Sequence, residues 1–305
     1  MMLIRLDKLE DLVRQQGPLH LALGVFDGVH KGHQVVIDQA VRAARASGGL
    51  SFVVTFSPHP IQVIAANKAP LCLLASLEEK AALMHSHGVD GLLVIHFDQD
   101  FASLAAEDFV RKLCEADVAS ISVGEDWRFG NKRLGDVALL RRMAVEFGFE
   151  LVAVAPVIWD EERISSSRIR QAIGSGNFNA VEAMLGRPYV ISGKVVEGRK
   201  LGRTLGFPTA NLHFTEMQLP KDGVWLVEVN GQQRGIANLG MQPTVNGSQR
   251  TLEVHIFDFS ADLYGHMLRI RFLHFIREER KFPSIDALRE QISADVQLAR
   301  KIALD

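Results

Sequence analysis

The stretch LHLALGVFDGVHKGH, residues 19–33, carries the strongest indication of the fold. It opens with a nearly continuous apolar run, which is typical of a strand buried on both faces of a parallel sheet. The run passes through glycines at positions 24, 28 and 32 into a helical pattern. Open α/β sheets bind ligands at the carboxyl ends of their strands, so this junction is a candidate ligand site.

Four further apolar runs of strand length occur before residue 186, at 50–56, 91–97, 119–123 and 151–155. Helical patterns separate them, and Gly148 is placed to end one of these helices. Cys114 falls on the apolar stripe of another, which favours a core position over a nucleophile. The alternation predicts an α/β fold with a parallel sheet, of the Rossmann-like kind.

After residue 186 the pattern changes to strands that alternate apolar and polar residues. The run 251–256 places its apolar members on one face and Glu253 on the other. Asn230-Gly231 is a strong hairpin signal, and Ser284 is a candidate N-cap for a terminal helix. These features predict a small antiparallel β-barrel with a terminal helix. We therefore expect two domains, residues 1–186 and 187–305.

Length and composition agree with two globular domains. The chain has 305 residues, 47% of them hydrophobic, and two cysteines that form no CxxC pair. No apolar run is long enough to span a membrane, and the first residues do not resemble a signal peptide, so we expect a cytoplasmic protein. Residues 187–305 carry 16 Lys+Arg and 13 Asp+Glu, which is too balanced to indicate a nucleic-acid surface.

The histidines of the HKGH motif favour phosphate chemistry. His30 and His33 can face one anionic centre, Gly28 and Gly32 allow close backbone approach, and the helix N-terminus attracts negative charge. Imidazolium N–H groups would stabilise charge that develops on phosphorus. A zinc site is less well supported, because no further ligand lies at motif spacing. The alternative is a glycine-rich turn with exposed histidines.

A second candidate phosphate site is RISSSRIR, residues 163–170. Three serines lead into a short helix and are bracketed by three arginines. Hydroxyl and guanidinium donors together suit a polyphosphate. The alternative is simple helix capping by serine.

These two motifs together resemble the HxGH nucleotidyltransferase superfamily. The segments TFSPHP at 55–60 and GEDWRFG at 124–130 resemble its flavin-nucleotide branch, with Trp127 where Phe is usual. The segments at 202–211, 253–259, 262–265 and 277–282 resemble riboflavin kinase. From near residue 15 to the end, the chain therefore resembles the bifunctional riboflavin kinase/FMN adenylyltransferases, the bacterial FAD synthetases.

The resemblance implies that the second domain phosphorylates riboflavin with ATP. It makes Glu253 the proton acceptor and Thr209 and Asn211 the Mg²⁺ ligands. It also implies phosphate contacts for Gly202, Arg203 and Gly206 and a flavin contact for Phe207. Without the resemblance, a solvated strand carboxylate is the better interpretation of Glu253, and ordinary turn chemistry is the alternative for Thr209 and Asn211.

The resemblance implies that the first domain joins FMN to the AMP part of ATP and releases diphosphate. His30 and His33 would steady the α-phosphate. Phe26, Asp27 and Asp126 would contact the nucleotide or orient the loop. Pro58 and Phe129 are candidates for the flavin side, with core filling as the alternative. The remaining ATP-binding candidates are Gly24, Gly28, Gly32, Arg163, Ser165, Ser166, Arg168 and Arg170.

The expected small-molecule partners are riboflavin, FMN, FAD, ATP and ADP, with Mg²⁺ as cofactor and ATP as co-substrate. We expect no nucleic acid, no membrane and no obligatory protein partner. Two alternatives belong to other classes: a flavin- or nucleotide-binding regulator, and a different nucleotidyltransferase with an RNA-binding barrel. Turnover of riboflavin and ATP would exclude the regulator. Salt-dependent RNA retention would support the second.

Overall fold

The computed structural model describes residues 3–65, 72–198, 201–214, 216–244 and 247–303. The chain divides into two units. The first comprises Met1–Arg168 and Met184–Gly186, and the second comprises Ile169–Ala183 and Arg187–Asp305. The predicted boundary after residue 186 stays a prediction.

Six parallel strands form the sheet of the first unit, in the order β1-β4-β3-β2-β5-β6. They are β1 Ile4–Leu6, β2 Leu19–Leu23, β3 Leu50–Ser57, β4 Gly91–His96, β5 Val118–Gly124 and β6 Glu150–Val154. Alternate residues of the strands pack into two apolar clusters, one containing Leu21 and the other Ala22. Burial on both faces explains the continuous apolar runs, and the predicted parallel sheet is confirmed.

Helices follow most of these strands. They are α1 Lys31–Ser47, α2 Pro60–Ile64, α3 Leu77–Ser86, α4 Gln99–Ala102, α5 Ala106–Leu113, α6 Val137–Phe147, α7 Ser166–Ser175 and α8 Phe178–Leu185. Gly148 ends α6 in the left-handed conformation, as predicted. Cys114 lies at the end of α5 against the core, and burial raises the pKa of its thiol to about 11. A short hairpin, β7 Ile158–Trp159 and β8 Glu162–Arg163, precedes α7.

Six antiparallel strands close into a barrel in the second unit, in the order β10-β13-β12-β11-β14-β9. They are β9 Val190–Val196, β10 Ala210–His213, β11 Gly223–Val229, β12 Gln233–Thr244, β13 Gly247–Ile256 and β14 Met267–Arg277, and the short α9 Leu201–Thr204 precedes β10. Asn230 and Gly231 both have positive φ between β11 and β12, which is the predicted hairpin turn. The predicted barrel is thus confirmed.

The terminal helix, α10 Ile285–Lys301, begins at the predicted N-cap Ser284. Its Ile292 and Val296 pack in a cluster with Val224, Leu226 and other residues of the barrel strands. At the end of the helix, a guanidinium nitrogen of Arg234 donates to the carbonyl oxygens of residues 299 and 302 at 2.8 and 2.9 Å. Among the helices of the described residues, none combines the length and apolarity that a membrane crossing requires.

Candidate active sites

The first candidate site lies where β2 ends and α1 begins. His30 is the N-cap of α1, and its Nδ1 accepts a hydrogen bond from the backbone N–H of His33 at 3.3 Å. Because Nδ1 accepts, the proton of a neutral His30 ring is placed on Nε2. The side chain is 5% exposed, so capping fixes both the position and the tautomer of this histidine.

The ring of His33 stacks on that of His30, with centroids 3.5 Å apart and planes inclined by 18°. Burial lowers the pKa of His33 well below its ordinary value, and the positive groups His30, Lys80 and Arg163 lower it further. Nδ1 of His33 is buried and has no hydrogen-bond partner among the described residues. The expected imidazolium at position 33 is therefore neutral before a ligand enters.

The loop between β2 and α1 is shaped by its glycines. A Cβ at Gly24 would lie 2.9 Å from the ring of Phe26, and that ring packs edge-on against His33. A Cβ at Gly32 would press on the His30 ring at 3.2 Å. Gly28 has a φ of +78°, and a Cβ there would lie 2.8 Å from Leu74, so the turn and the packing both require glycine. Its predicted close approach to phosphate stays a prediction.

Asp27 anchors this loop from behind. Its carboxylate is 2% exposed and accepts from the backbone N–H of Leu74 at 2.9 Å. The Ser166 hydroxyl donates to the Asp27 carbonyl oxygen at 3.1 Å, which ties the start of α7 to the loop. Ser165 caps α7 by accepting from the backbone N–H of Arg168 at 3.3 Å. These contacts fit loop orientation, one of the two predicted roles for Asp27, and the role itself stays a prediction.

The predicted arginines of this region have different partners. The Arg163 guanidinium forms a two-pronged ion pair with Asp126, with one contact at 3.0 Å, and lowers the pKa of that carboxyl. Arg168 instead donates to the carbonyl oxygens of Trp159 and Glu162 in the β7–β8 hairpin, at 2.6 and 3.0 Å. Arg170 belongs to the second unit. Only Arg163 of the three lines the cavity described next.

A cavity of about 380 Å³ lies in front of the histidine pair. Trp127 is the aromatic residue of the GEDWRFG motif that lines it. Phe129 stacks on Trp127 at 4.4 Å and is 7% exposed in the core, so it stands behind Trp127. Pro58 is exposed and also does not line the cavity. The predicted residues on the wall are Gly24, Phe26, His30, Gly32, His33, Asp126, Arg163, Ser165 and Ser166.

A second cavity, of about 320 Å³, lies against the outward face of the barrel and α10. Leu252 and Val254 point into the barrel and are at most 1% exposed, whereas Glu253 between them faces the cavity. The predicted residues Gly202, Phe207 and Thr209 also line it. A Cβ at Gly202 would lie 2.4 Å from the carbonyl oxygen of Phe207, which explains the glycine there.

A third cavity, of about 280 Å³, shares Thr209 with the second. Arg203 lines the third cavity and not the second. Asn211 is paired directly opposite Glu253 across β10 and β13, although it lines neither cavity. Gly206 has a φ of +88° and open space around it, so its role is a turn rather than a packing contact.

An ion pair in the second cavity joins two residues that were not predicted as site residues. The Arg277 guanidinium binds the carboxylate of Asp295, which is 3% exposed, at 2.8 Å. Both side chains line the cavity and join the end of β14 to α10. The REERKF segment at 277–282 resembles riboflavin kinase and so indicated a functional region. An ion pair between residues 18 positions apart leaves no local sequence pattern.

The comparisons with known proteins cover both units. Residues 13–168 match the family model of FAD synthetase, and residues 185–303 match that of riboflavin kinase. The chain is 39% identical over 287 residues to the bifunctional riboflavin kinase/FMN adenylyltransferase of Escherichia coli strain K12, covering 92% of this chain and 91% of the relative. The chain belongs to the bifunctional riboflavin kinase/FMN adenylyltransferase family.

Two other matches cover nearly the whole chain. The corresponding enzyme of Pseudomonas fluorescens is 40% identical over 287 residues, covering 92% of each chain. A crystal structure described as the macrolide-efflux protein from Streptococcus pneumoniae superposes with a TM-score of 0.84 at 32% identity, covering 99% of this chain and 100% of the other. The two family models support both ATP-dependent steps, riboflavin to FMN and FMN to FAD.

Proposed function

We propose that the cavity in front of His30 and His33 is the adenylyltransferase site. The stacked histidine pair at the N-terminus of α1 is the observation that carries this assignment. An FMN phosphate oxygen attacks the α-phosphorus of ATP, and diphosphate leaves. The nucleophile is already ionised, so it needs no general base. Donors from the two rings and the helix end stabilise the charge that builds on the α-phosphate.

Arg163 and Ser166 are the proposed triphosphate contacts from the β8–α7 segment. Arg163 exchanges part of its bond to Asp126 for phosphate oxygens when ATP enters. Arg168 holds the hairpin through two backbone carbonyls, so we leave it out of the phosphate-binding set. Arg170 stays a prediction from the family motif.

Trp127 is the proposed flavin wall. Its ring lines the cavity and is backed by Phe129 at 4.4 Å, which leaves a planar surface for the isoalloxazine ring. This proposal replaces the direct flavin contact expected of Phe129. Pro58 receives no contact role, because it is outside the described lining.

The two barrel cavities are the proposed subsites of the kinase. Glu253 lines the second cavity, so riboflavin binds there with its ribityl 5′-hydroxyl toward the carboxylate. ATP then occupies the third cavity, and its γ-phosphate meets the hydroxyl near Thr209, which both cavities share. Glu253 accepts the hydroxyl proton as the oxygen attacks phosphorus and ADP leaves. Phe207 contributes an aromatic wall to the flavin subsite.

Thr209 and Asn211 are the proposed Mg²⁺ ligands. Thr209 lines both cavities, and Asn211 is paired directly opposite Glu253. Both side chains offer oxygen donors, which are the ligands that Mg²⁺ prefers. No group of three or more His, Cys, Asp or Glu with metal-binding geometry occurs among the described residues. When bound, Mg²⁺ supplies charge neutralisation for the phosphates.

Residues 1–186 form the proposed adenylyltransferase module and 187–305 the kinase module, in a cytoplasmic enzyme. The test is to incubate the full chain with riboflavin, ATP and Mg²⁺ and to separate FMN and FAD by chromatography. His30→Ala should stop the sequence at FMN, and Glu253→Gln should stop it at riboflavin. Loss of both products in His30→Ala, with folding intact, overturns the separation of sites, and so does a Glu253→Gln variant that cannot convert added FMN to FAD.

A further inference from the structure

Lys80 is a buried lysine behind the loop that carries the histidine pair. It lies on α3 and is 8% exposed. Its Nζ is 3.4 Å from the carbonyl oxygen of Val25, which also accepts from the Thr55 hydroxyl at 2.9 Å. A lysine is seldom buried without compensation, because its ammonium loses hydration. The position therefore needs a reason beyond apolar packing.

The compensating charge is Asp27. Burial lowers the pKa of Lys80, and the carboxylate of Asp27 acts in the opposite direction. Asp27 is itself fixed by the backbone of Leu74 and, through its carbonyl, by the Ser166 hydroxyl. The charge pair thus connects α3, the loop at 24–27 and the start of α7 on the side away from the cavity.

Lys80 also acts on the histidine pair. The charged groups that face His33 are His30 from the α1 cap, Lys80 from α3 and Arg163 from β8, and Asp126 partly neutralises Arg163. All three positive groups favour a neutral His33. Lys80 does not line the cavity, so its influence reaches the substrate only through the loop and the rings.

We propose that Lys80 is a positioning residue for adenylyl transfer. Its ammonium holds the 24–27 loop in the shape that directs the two histidines to the α-phosphate. It also places a positive charge behind the pair, which keeps the His33 ring neutral as the triphosphate enters. The proposal rests on the assignment of this cavity as the adenylyltransferase site.

The test compares Lys80→Met, Lys80→Arg and the exposed control Lys112→Met in the full chain. FAD formation from FMN and ATP is measured as kcat and as kcat/KM for ATP between pH 5.5 and 9. Lys80→Met should lower kcat at least about tenfold, the size of a lost electrostatic contact. The acid limb of kcat/KM should move to higher pH, because loss of a positive neighbour raises the pKa of His33.

Lys80→Arg should keep the acid limb in place, because it keeps the charge, and riboflavin phosphorylation should be unchanged in all three variants. An acid limb that does not move in Lys80→Met, or one that moves equally in Lys112→Met, overturns the proposal. If circular dichroism shows that Lys80→Met does not fold, the result for Lys80→Arg decides whether the proposal stands. With the charge kept, any shift of its acid limb overturns the proposal, and an unshifted limb with a lower kcat supports it.

His30→Ala in the same assay separates this proposal from the one on which it rests. Full FAD formation by His30→Ala would overturn the assignment of this cavity as the adenylyltransferase site. Full FAD formation in Lys80→Met, beside an inactive His30→Ala, removes only the role of Lys80.

Discussion

The imidazole rings of His30 and His33 stack face to face, 3.5 Å apart between centroids, at the first turn of α1. Two positive charges at this separation repel strongly, so the empty site does not hold both rings protonated. In the proposed adenylyltransferase site, a neutral ring would still offer one N–H group to the α-phosphate.

Removal of His30 should affect one reaction only. His30→Ala removes the ring that caps α1 and stacks on His33, so FAD formation should fall at least about tenfold. Riboflavin phosphorylation should continue, because Glu253 and its cavity belong to the other unit. Chromatography of both products checks this, with Lys112→Met as the control. Unchanged FAD formation would contradict the role of His30.

Neutralisation of Glu253 should give the opposite result. Glu253→Gln keeps the size of the side chain but accepts no proton, so FMN formation should be abolished. Added FMN should still become FAD at the wild-type rate. Normal phosphorylation by this variant would exclude Glu253 as the essential proton acceptor.

Trp127 and Phe129 should differ in what their loss changes. Trp127→Ala should raise KM for FMN several-fold with a smaller change in kcat, and Trp127→Phe should restore binding, because a ring is retained. Phe129→Ala should mainly lower stability, by about 3–5 kcal/mol, because it empties a core position. Steady-state kinetics and urea unfolding separate the two. A larger KM effect from Phe129→Ala at full stability would reverse the assignment.

The lowered pKa of His33 predicts a pH dependence of stability. Below its ordinary pKa of 6.5, the unfolded chain protonates His33 while the folded chain keeps it neutral. The free energy of unfolding should therefore decrease as the pH is lowered below 6.5, by at most about 1.4 kcal/mol per pH unit. The decrease should end where the pH reaches the lowered pKa of His33 in the folded chain. Urea unfolding at pH 7.5 and 5.5 should show a smaller loss for His33→Gln than for wild type. Equal losses would contradict a buried neutral His33.

Loss of a metal ligand should appear as an altered Mg²⁺ requirement. Asn211→Ala should raise the Mg²⁺ concentration that gives half-maximal FMN formation, because one oxygen ligand is lost. The exposed Lys112 of the other unit offers a control, as Lys112→Met. A lower maximal rate at an unchanged Mg²⁺ requirement would argue against metal binding by Asn211.

Most strands of the sheet and half of the barrel strands were predictable because periodicity reports burial directly. Runs apolar on both faces predicted β2 to β6, and alternation predicted the outward position of Glu253. β1 was missed, since it has three residues with exposed Arg5 at its centre. A strand this short has too few residues to establish a period.

The site was predictable in its residues but less so in their orientation. The motifs identified His30, His33 and Glu253, whose positions follow from a helix start and a strand face. Sequence did not distinguish Trp127 on the cavity wall from Phe129 behind it, because both are aromatic and two positions apart. The hairpin contacts of Arg168 and the burial of Lys80 depend on residues distant in sequence or on packing, which local patterns do not encode.

The most direct test of two independent sites is complementation between variants. His30→Ala alone should convert riboflavin to FMN and accumulate it, and Glu253→Gln alone should leave riboflavin unchanged. Mixed with riboflavin, ATP and Mg²⁺, the two variants should produce FAD, because FMN released by the first is adenylylated by the second. A mixture that accumulates FMN without forming FAD would contradict the account.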